Sequence, residues 1–322
     1  MNEKIKEELN CRPIIYFHDD PDGLCSYLLL EKLTLENKPV PVKSATLNEV
    51  YAAKAFEWDK AVILDIPVID STFVDALKKP IIWIDHHKTE ENAANKIFSN
   101  EPTTYACWKI NPINWIGMIG CLGDWHMPSF TDKFVEEYPD LMKKGASVTE
   151  ALYENEIGKL VQIFSFALKG DSTTIKRNVR ILRKIKTPYE ILKQETPEGK
   201  IIYKHYEHIN HEYKALLKNA LKAETTGKIV TFIYQEDQHS LTKDLANELF
   251  YKNPTKIIIL GRERSGEIRC SLRSPPSIDL LKALQKALVG VQGTGGGHKN
   301  ACGASIKKED WSRFIDNLTA TD

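Results

Sequence analysis

Three consecutive residues, Asp85, His86 and His87, place a carboxylate and two imidazoles directly after the apolar run 81–84. The run is rich in isoleucine, which is typical of a buried strand. Ligands of open α/β sheets bind at the carboxyl ends of strands, and these side chains are common ligands of divalent metals. The triplet indicates a metal site. For the triplet alone, an equally good alternative is that one histidine binds no metal and the other caps a turn.

A second cluster of ionisable residues, His18, Asp19, Asp20 and Asp22, follows the apolar run 14–17. On a chain that continues as a strand, His18, Asp20 and Asp22 would alternate onto one side. So many ionisable groups in five residues would repel one another unless a cation neutralised them. The cluster therefore favours a cation site. An Asp-rich turn that caps a helix is the alternative.

Two further acids occupy comparable positions. Asp65 ends the apolar run 61–65, and Asp124 follows an apolar, glycine-punctuated segment that predicts a closely packed helix. One acid could be a cap, but acids or histidines at three separate strand ends favour a shared metal centre. His126, two residues after Asp124, is expected at the surface or behind the ligands, and its role stays open.

These residues require a sheet that brings strand ends together. Apolar runs alternate with helical patterns in the first half of the chain, which predicts an α/β fold with a doubly wound parallel sheet. The expected strands are 14–17, 39–43, 61–65 and 81–84. At 322 residues, two domains are expected. The predicted divisions are an N-terminal domain at 1–195, a helical connector at 196–225 and a smaller α/β domain at 226–322.

The second domain carries a candidate anion site. An alternating strand at 267–274 exposes Arg273 near its end, and a glycine run then precedes His298. Consecutive backbone N–H groups of such a run suit an anion, and the residues after it are expected to begin a helix. A flexible loop is the alternative. Beside an exposed arginine, the run favours phosphate or nucleotide capture.

Composition limits the classes of function. The 44 basic and 44 acidic residues cancel, which argues against coating long nucleic acid by bulk charge. One basic cluster is either a solvated helix face or a substrate-facing surface, and comprises Lys176, Arg177, Arg180, Arg183 and Lys184. Six scattered cysteines without a C-x-x-C pair fit a reducing compartment. With no signal-peptide pattern and no apolar run of membrane-spanning length, a soluble cytoplasmic protein without membrane contact is predicted.

The ordered motifs resemble those of the DHH phosphoesterase superfamily. They are the HDDPDG segment at 18–23, Asp65, the DHH triplet at 85–87 and Asp124 after Gly123. The segment 295–301, GGGHKNA, is similar to the signature of the DHHA1 domain that follows in one branch. The resemblance covers most of the chain. It implies two lobes joined by a linker, with two divalent metal ions in the larger lobe and the substrate held from the smaller one.

The resemblance also implies roles for individual residues. One metal ion would be held by His18, Asp20 and Asp65, and the other by Asp22, Asp65, His86 and Asp124. His87 would contact the phosphate, and Asp85 would orient an imidazole. The implied substrate-gripping residues are Arg273, Gly295, Gly296, Gly297 and His298. The first motif departs from the family because Leu24 stands where nano-RNases have a second acid, which leaves open whether His18 or Asp20 is the essential ligand.

The function implied by the resemblance is hydrolysis of phosphodiester or phosphomonoester bonds in short oligonucleotides or small nucleotides. Manganese is the expected metal, with magnesium or cobalt as alternatives. A RecJ-like single-strand exonuclease is the first alternative, and an inactive nucleic-acid-binding scaffold is the second. No segment after Gly303 is long enough for a strand-tracking module, so short substrates are favoured. Cleavage direction, RNA or DNA preference and homodimerisation are left open.

Overall fold

The computed structural model describes residues 2–88, 96–223, 225–235 and 239–319. The chain divides into two compact units, residues 1–206 and 207–322. The division falls inside the long helix α12, Pro197–Ala220, where the sequence predicted a helical connector. Each unit has a core of its own and is described separately.

The first unit contains a five-stranded sheet in which every neighbouring pair is parallel, with the strand order β2-β1-β4-β6-β7. Its strands are β1 (Pro13–His18), β2 (Lys38–Val42), β4 (Lys60–Leu64), β6 (Ile81–Asp85) and β7 (Lys96–Phe98). A separate parallel pair is formed by β3 (Thr46–Leu47) and β5 (Val68–Ile69). The parallel sheet predicted from the sequence is confirmed.

Helices cover the sheet of the first unit, so β1, β4 and β6 are almost entirely buried. On one side, Phe73 packs with Tyr16 and Trp83 in a shared apolar cluster. The helices are α1 (Asn2–Leu9), α2 (Pro21–Leu30), α3 (Glu49–Ala52), α4 (Ser71–Leu77), α5 (Thr103–Ile110), α6 (Asn114–Gly123), α7 (Thr131–Glu137), α8 (Val148–Glu154), α9 (Glu156–Ala167), α10 (Ser172–Leu182) and α11 (Pro188–Leu192).

The second unit contains a six-stranded mixed sheet with the order β12-β13-β11-β10-β9-β8, in which only β9 and β10 run parallel. Its strands are β8 (Thr225–Thr226), β9 (Ile229–Gln235), β10 (Ile257–Arg264), β11 (Glu267–Arg273), β12 (Gly293–His298) and β13 (Ala301–Lys307). Its further helices are α13 (Thr242–Lys252), α14 (Leu280–Ala287) and α15 (Trp311–Thr319). None of the described helices of the chain combines the length and apolar character that a membrane span requires.

The residues after the glycine run correct a prediction. A helix was expected after His298, but the chain turns back and forms strand β13, paired antiparallel with the glycine strand β12. The sequence signal is a period of two, because Cys302, Ala304 and Ile306 all pack into the core of the second unit. The glycine run is therefore the exposed edge strand of a sheet and not the entrance to a helix.

Candidate metal centre

The carboxyl ends of three adjacent parallel strands bring the predicted ligands together. His18 is the last residue of β1, Asp65 follows β4, and His86 follows Asp85 at the end of β6. Because β1, β4 and β6 are neighbours in the sheet, these ends lie side by side. Asp65 adopts a left-handed backbone conformation with φ of 58°, which aspartate tolerates better than most residues.

The first motif does not continue as a strand, so its predicted alternation is wrong. Asp20 is the N-cap of α2 and accepts a hydrogen bond from the Gly23 amide at 3.1 Å, and Pro21 opens the helix. This places Asp22 in the first helical turn. Gly23 is required there, because a Cβ atom would lie 2.3 Å from the carbonyl oxygen of His18. Asp20 thus serves both as a cap and as a candidate ligand.

Asp22 is fully buried and is fixed by the start of α5. Its carboxylate accepts hydrogen bonds from the amides of Thr103 at 2.9 Å and Thr104 at 2.6 Å. These are free donors of a helix N-terminus, where a negative charge is favoured. The Thr103 hydroxyl also donates to Asp65 at 3.3 Å. The sequence reasoning missed both threonines, for which a Pro-Thr-Thr helix start is the only local signal.

Asp124 caps the C-terminal end of α6, and small residues bring that helix close to α5. A Cβ atom on Gly120 would lie 2.2 Å from Thr104 Oγ1, which bears out the close packing expected from the glycine-punctuated sequence. Asp124 reaches His86, whereas His126 lies 3.8 Å from Glu101 and contacts the ring of Tyr105. His126 belongs to none of the potential ligand groups found among the described residues.

The ligand atoms form three overlapping groups, and the donor atoms of each lie within 4.8 Å of one another. His18 Nδ1 lies 3.0 Å from Asp20 and 3.6 Å from Asp65. His86 Nε2 lies 3.1 Å from Asp124, 3.3 Å from Asp65 and 3.8 Å from Asp22. The groups are His18–Asp20–Asp65, Asp22–His86–Asp124 and Asp65–His86–His87. Asp65 therefore lies between the two sets of ligands.

The electrostatics of this cluster call for cations. Burial raises the pKa values of Asp22 and Asp65, and neighbouring carboxylates raise them further. Burial opposes the charging of His18, but Asp20 and Asp65 outweigh it and raise its pKa to about 11. Burial also opposes the charging of His86, but Asp124 and Asp65 outweigh it and raise the pKa of His86 to about 11. The protons on these two imidazoles compensate the negative charge of the carboxylates, and a bound divalent cation would take over that role.

Two buried nitrogen atoms support the fit of this donor set to metal ions. His18 Nδ1 and His86 Nε2 face carboxylates, yet the geometry gives neither a hydrogen bond. Converging imidazoles and carboxylates without mutual hydrogen bonds are what ligands of one ion present to each other. The residues therefore fit divalent metal binding.

Asp85 lies behind the ligands and is held between His87 and Lys96. It accepts hydrogen bonds from His87 Nδ1 at 2.8 Å and from Lys96 Nζ at 2.9 Å. Despite burial, these two partners lower the pKa of Asp85. Lys96, whose side chain is only 3% exposed, also lies 4.5 Å from the centre of the Trp83 ring. The sequence reasoning missed Lys96, since nothing in its local pattern separates it from a surface lysine.

The predicted phosphate-binding residues lie in the second unit. Arg273 ends β11 and donates to Asn247 at 2.6 Å, while His298 ends β12. Both pair with Ala301 of the intervening strand, so the register places them at one level of the sheet. Gly295, Gly296 and Gly297 are exposed on the same edge strand. Asn300, missed from the sequence, donates to the Pro275 and Ile278 carbonyls and fixes this hairpin.

Comparison with known proteins gives a match for part of the sequence and for the fold. Residues 225–321 match the DHHA1 domain family. No curated protein sequence matches the chain. RecJ from Thermus thermophilus, solved with Mn²⁺, is similar at 15% identity with a TM-score of 0.71; the alignment covers 99% of this chain and 54% of that one. This chain therefore spans about half of that protein's length.

Two other solved structures resemble the chain over nearly the whole of both proteins. A manganese-bound RecJ exonuclease has 14% identity and a TM-score of 0.63, with 99% of this chain and 93% of that chain covered. The pGpG-specific phosphodiesterase PggH from Vibrio has 15% identity and a TM-score of 0.50, with 97% and 98% covered. At such identities the likeness concerns the fold.

Proposed function

We propose that this chain is a metal-dependent phosphoesterase. It carries a DHHA1 domain and has the two-part fold of the DHH/DHHA1 proteins, the family to which it belongs. The observation that carries the proposal is the convergence of His18, Asp20, Asp65, His86 and neighbouring acids at the strand ends. The proposed substrates are short oligonucleotides or small nucleotides. The RecJ exonucleases and the pGpG phosphodiesterase that share the fold act on related phosphodiesters.

The ligand groups suit two divalent ions. The first would be held by His18, Asp20 and Asp65, and the second by Asp22, Asp65, His86 and Asp124. When bound, such ions supply a nucleophilic hydroxide near neutral pH and neutralise charge on phosphate oxygens. Manganese is the proposed metal, since RecJ structures of this fold contain Mn²⁺ or Mg²⁺.

The remaining residues orient groups around the ligands. Asp85 holds His87 by its Nδ1 atom, which leaves Nε2 as the ring atom for a phosphate oxygen. Lys96 donates to Asp85 and to the His87 carbonyl at 3.0 Å, and so fixes the pair. Arg273 and His298 remain proposed phosphate ligands, together with the exposed amides of the glycine strand.

A substrate panel tests the proposal. The full chain, freed of metal and supplied with Mn²⁺, is incubated with labelled dinucleotides, five-nucleotide DNA and RNA, long single strands, 3′-phosphoadenosine 5′-phosphate, cyclic dinucleotides and pyrophosphate. Metal-dependent release of mononucleotide or phosphate is expected from the short nucleotides. Processive degradation of long strands would favour the exonuclease alternative, and no hydrolysis of any compound would favour an inactive scaffold.

Arg273 offers a sharper test of the second unit. Arg273→Lys keeps the charge but loses the planar fork that matches phosphate oxygens, so it should lower kcat/KM. We expect a loss of about a hundredfold in Arg273→Ala and in His298→Ala, the usual cost of removing a donor to developing charge. Calorimetry should show unchanged Mn²⁺ binding in both. Normal kinetics in both alanine variants would mean that the glycine strand has a structural role only.

A further inference from the structure

Helix α5 begins at Thr103, which is fully buried beside the metal centre. The N-cap residue before it is Pro102, which has no polar side-chain group to cap the helix. The amides of the first turn therefore need acceptors from elsewhere in the chain. Asp22 provides them, so the start of α5 is fixed to a candidate ligand.

Thr103 contacts two carboxylates with two different donors. Its amide donates to Asp22 Oδ2 at 2.9 Å, and its hydroxyl donates to Asp65 Oδ1 at 3.3 Å. Both carboxylates are almost completely buried, at 0% and 1% exposure. Two buried carboxylates repel each other when both are ionised. A single residue that donates to both therefore offsets part of this repulsion and fixes the distance between them.

The same two oxygen atoms face His86. His86 Nε2 lies 3.3 Å from Asp65 Oδ1 and 3.8 Å from Asp22 Oδ2. In contrast, His18 Nδ1 faces the other oxygen of the bridging residue, Asp65 Oδ2, at 3.6 Å. The two oxygens of Asp65 are thus divided between two ion sites. These are called here the His18 site (His18, Asp20 and Asp65) and the His86 site (Asp22, Asp65, His86 and Asp124).

The hydroxyl of Thr103 is compatible with an ion on the same oxygen atom. A carboxylate oxygen has two lone pairs, so Asp65 Oδ1 can accept from Thr103 and still bind a cation. Hydrogen-bonding partners of metal ligands orient those ligands, and their loss typically lowers metal affinity about ten- to a hundredfold. The neighbouring hydroxyl of Thr104 has a different acceptor, since it donates to the backbone carbonyl of Asp22 at 2.8 Å.

We propose that Thr103 is a positioning residue for the His86 site. Its hydroxyl holds the bridging carboxylate beside Asp22 before an ion binds, and so raises the affinity of this site for the ion. It acts much less on the His18 site, whose share of Asp65 is the other oxygen. This inference rests on the metal centre of the proposed function. It adds that one residue outside the ligand sets makes the two ion sites unequal.

The substitution Thr103→Val tests the proposal. Valine keeps the amide and the branched Cβ of threonine and replaces only the hydroxyl by a methyl group. The metal-free full chain is titrated calorimetrically with Mn²⁺ in the absence of substrate. The affinity of the His86 site should fall about tenfold or more, while that of the His18 site should be nearly unchanged. His86→Ala, titrated in parallel, identifies which binding event belongs to the His86 site.

Further variants separate positioning from a general loss of packing. Thr103→Ser retains the hydroxyl and should retain the affinity of the His86 site. Thr103→Ala and Thr103→Ser form a second pair that differs only in the hydroxyl, and this pair replaces the valine variant if circular dichroism in EDTA shows that valine prevents folding. Thr242→Val is the matched control, because Thr242 is also a buried first residue of a helix, α13, but lies in the second unit. It should bind Mn²⁺ like the unaltered protein.

Each outcome decides the inference. A loss of affinity confined to the His86 site in Thr103→Val, and absent in Thr103→Ser, would support it. An equal loss at both sites, or an equal loss in the serine variant, would show that Thr103 has a packing role only, and unaltered binding would overturn the inference directly. Because the titration contains no substrate, a chain that binds Mn²⁺ and hydrolyses nothing would contradict the proposed function alone. A chain that binds no Mn²⁺ would contradict both.

Discussion

At the residue scale, Asp65 combines the features of a bridging ligand. It is 1% exposed, has a left-handed backbone, and lies within 3.6 Å of both His18 and His86. A buried carboxylate beside other carboxylates is costly unless a cation compensates it. Bound metal would therefore stabilise the buried Asp65 carboxylate, and removal of this side chain should affect both sets of ligands.

Asp65→Ala should abolish Mn²⁺-dependent hydrolysis and Mn²⁺ binding while the chain stays folded. His86→Ala should remove one of the two binding events and most of the turnover. Isothermal titration with Mn²⁺, circular dichroism and the substrate panel provide the measurements. His126→Ala is the control, since His126 belongs to no ligand group among the described residues. Near-normal turnover in Asp65→Ala would contradict the metal assignment.

Lys96 allows a separate prediction about the support of His87. Lys96→Ala leaves the buried Asp85 with one partner fewer, so the free energy of unfolding should fall by about 3–5 kcal/mol. Turnover should also fall, because His87 is less well oriented. Urea unfolding and steady-state kinetics measure the two effects. Lys133→Ala, which removes an exposed lysine of α7, is the control. A loss within about 0.5 kcal/mol, the usual value for a surface substitution, would show that the buried pair has little structural role.

At the element scale, the close approach of α6 to α5 determines where Asp22 and Asp124 lie. Gly120 leaves room for Thr104, whose amide and hydroxyl both bond to Asp22. α6 then ends where Asp124 reaches His86. Packing between helices thus sets the distance between two candidate ligands.

Gly120→Ala should therefore destabilise the protein by about 1–3 kcal/mol, the typical cost of overpacking. It should also weaken Mn²⁺ binding, because Thr104 would have to move. Thermal unfolding and calorimetry are the measurements. Gly303→Ala is the control, since its added Cβ would meet only the Cys270 carbonyl oxygen at 3.8 Å. Equal stability and metal affinity of the two variants would contradict this role of Gly120.

At the scale of the whole molecule, the candidate ligands and the DHHA1 domain belong to different units. All six candidate ligands lie between residues 18 and 124, in the first unit, whereas the DHHA1 match begins at residue 225. Each unit has its own apolar core. A metal effect on stability should therefore arise in the first unit.

Hydrogen exchange tests this division. Mn²⁺ without substrate should slow exchange in peptides that contain the ends of β1, β4 and β6, because binding stabilises the state that holds the ion. Peptides of β9, β10 and β11 should exchange as before. Asp65→Ala should lose the protection in the first unit. Protection confined to the second unit would place the ion elsewhere.

Local sequence determined four of the five strands of the first sheet, all but β7, and indicated the candidate ligands. Apolar runs that end in Asp65 or in Asp85-His86-His87 have few structural alternatives, because parallel strands buried on both faces need such runs. The glycine strand was misread, since a glycine run exposes amides in a loop and in an edge strand alike. There the alternation of Cys302, Ala304 and Ile306 was the better guide.

Only the tertiary structure decided which partners complete the site. Asp22 is held by the amides of α5, more than eighty residues away in sequence, and Asp85 is held by Lys96 across a strand boundary. Local sequence does not distinguish either contact, because a threonine at a helix start and a lysine on a short strand are common at surfaces. The sequence specifies which side chains are available, whereas the packing of the fold determines which distant segments come together.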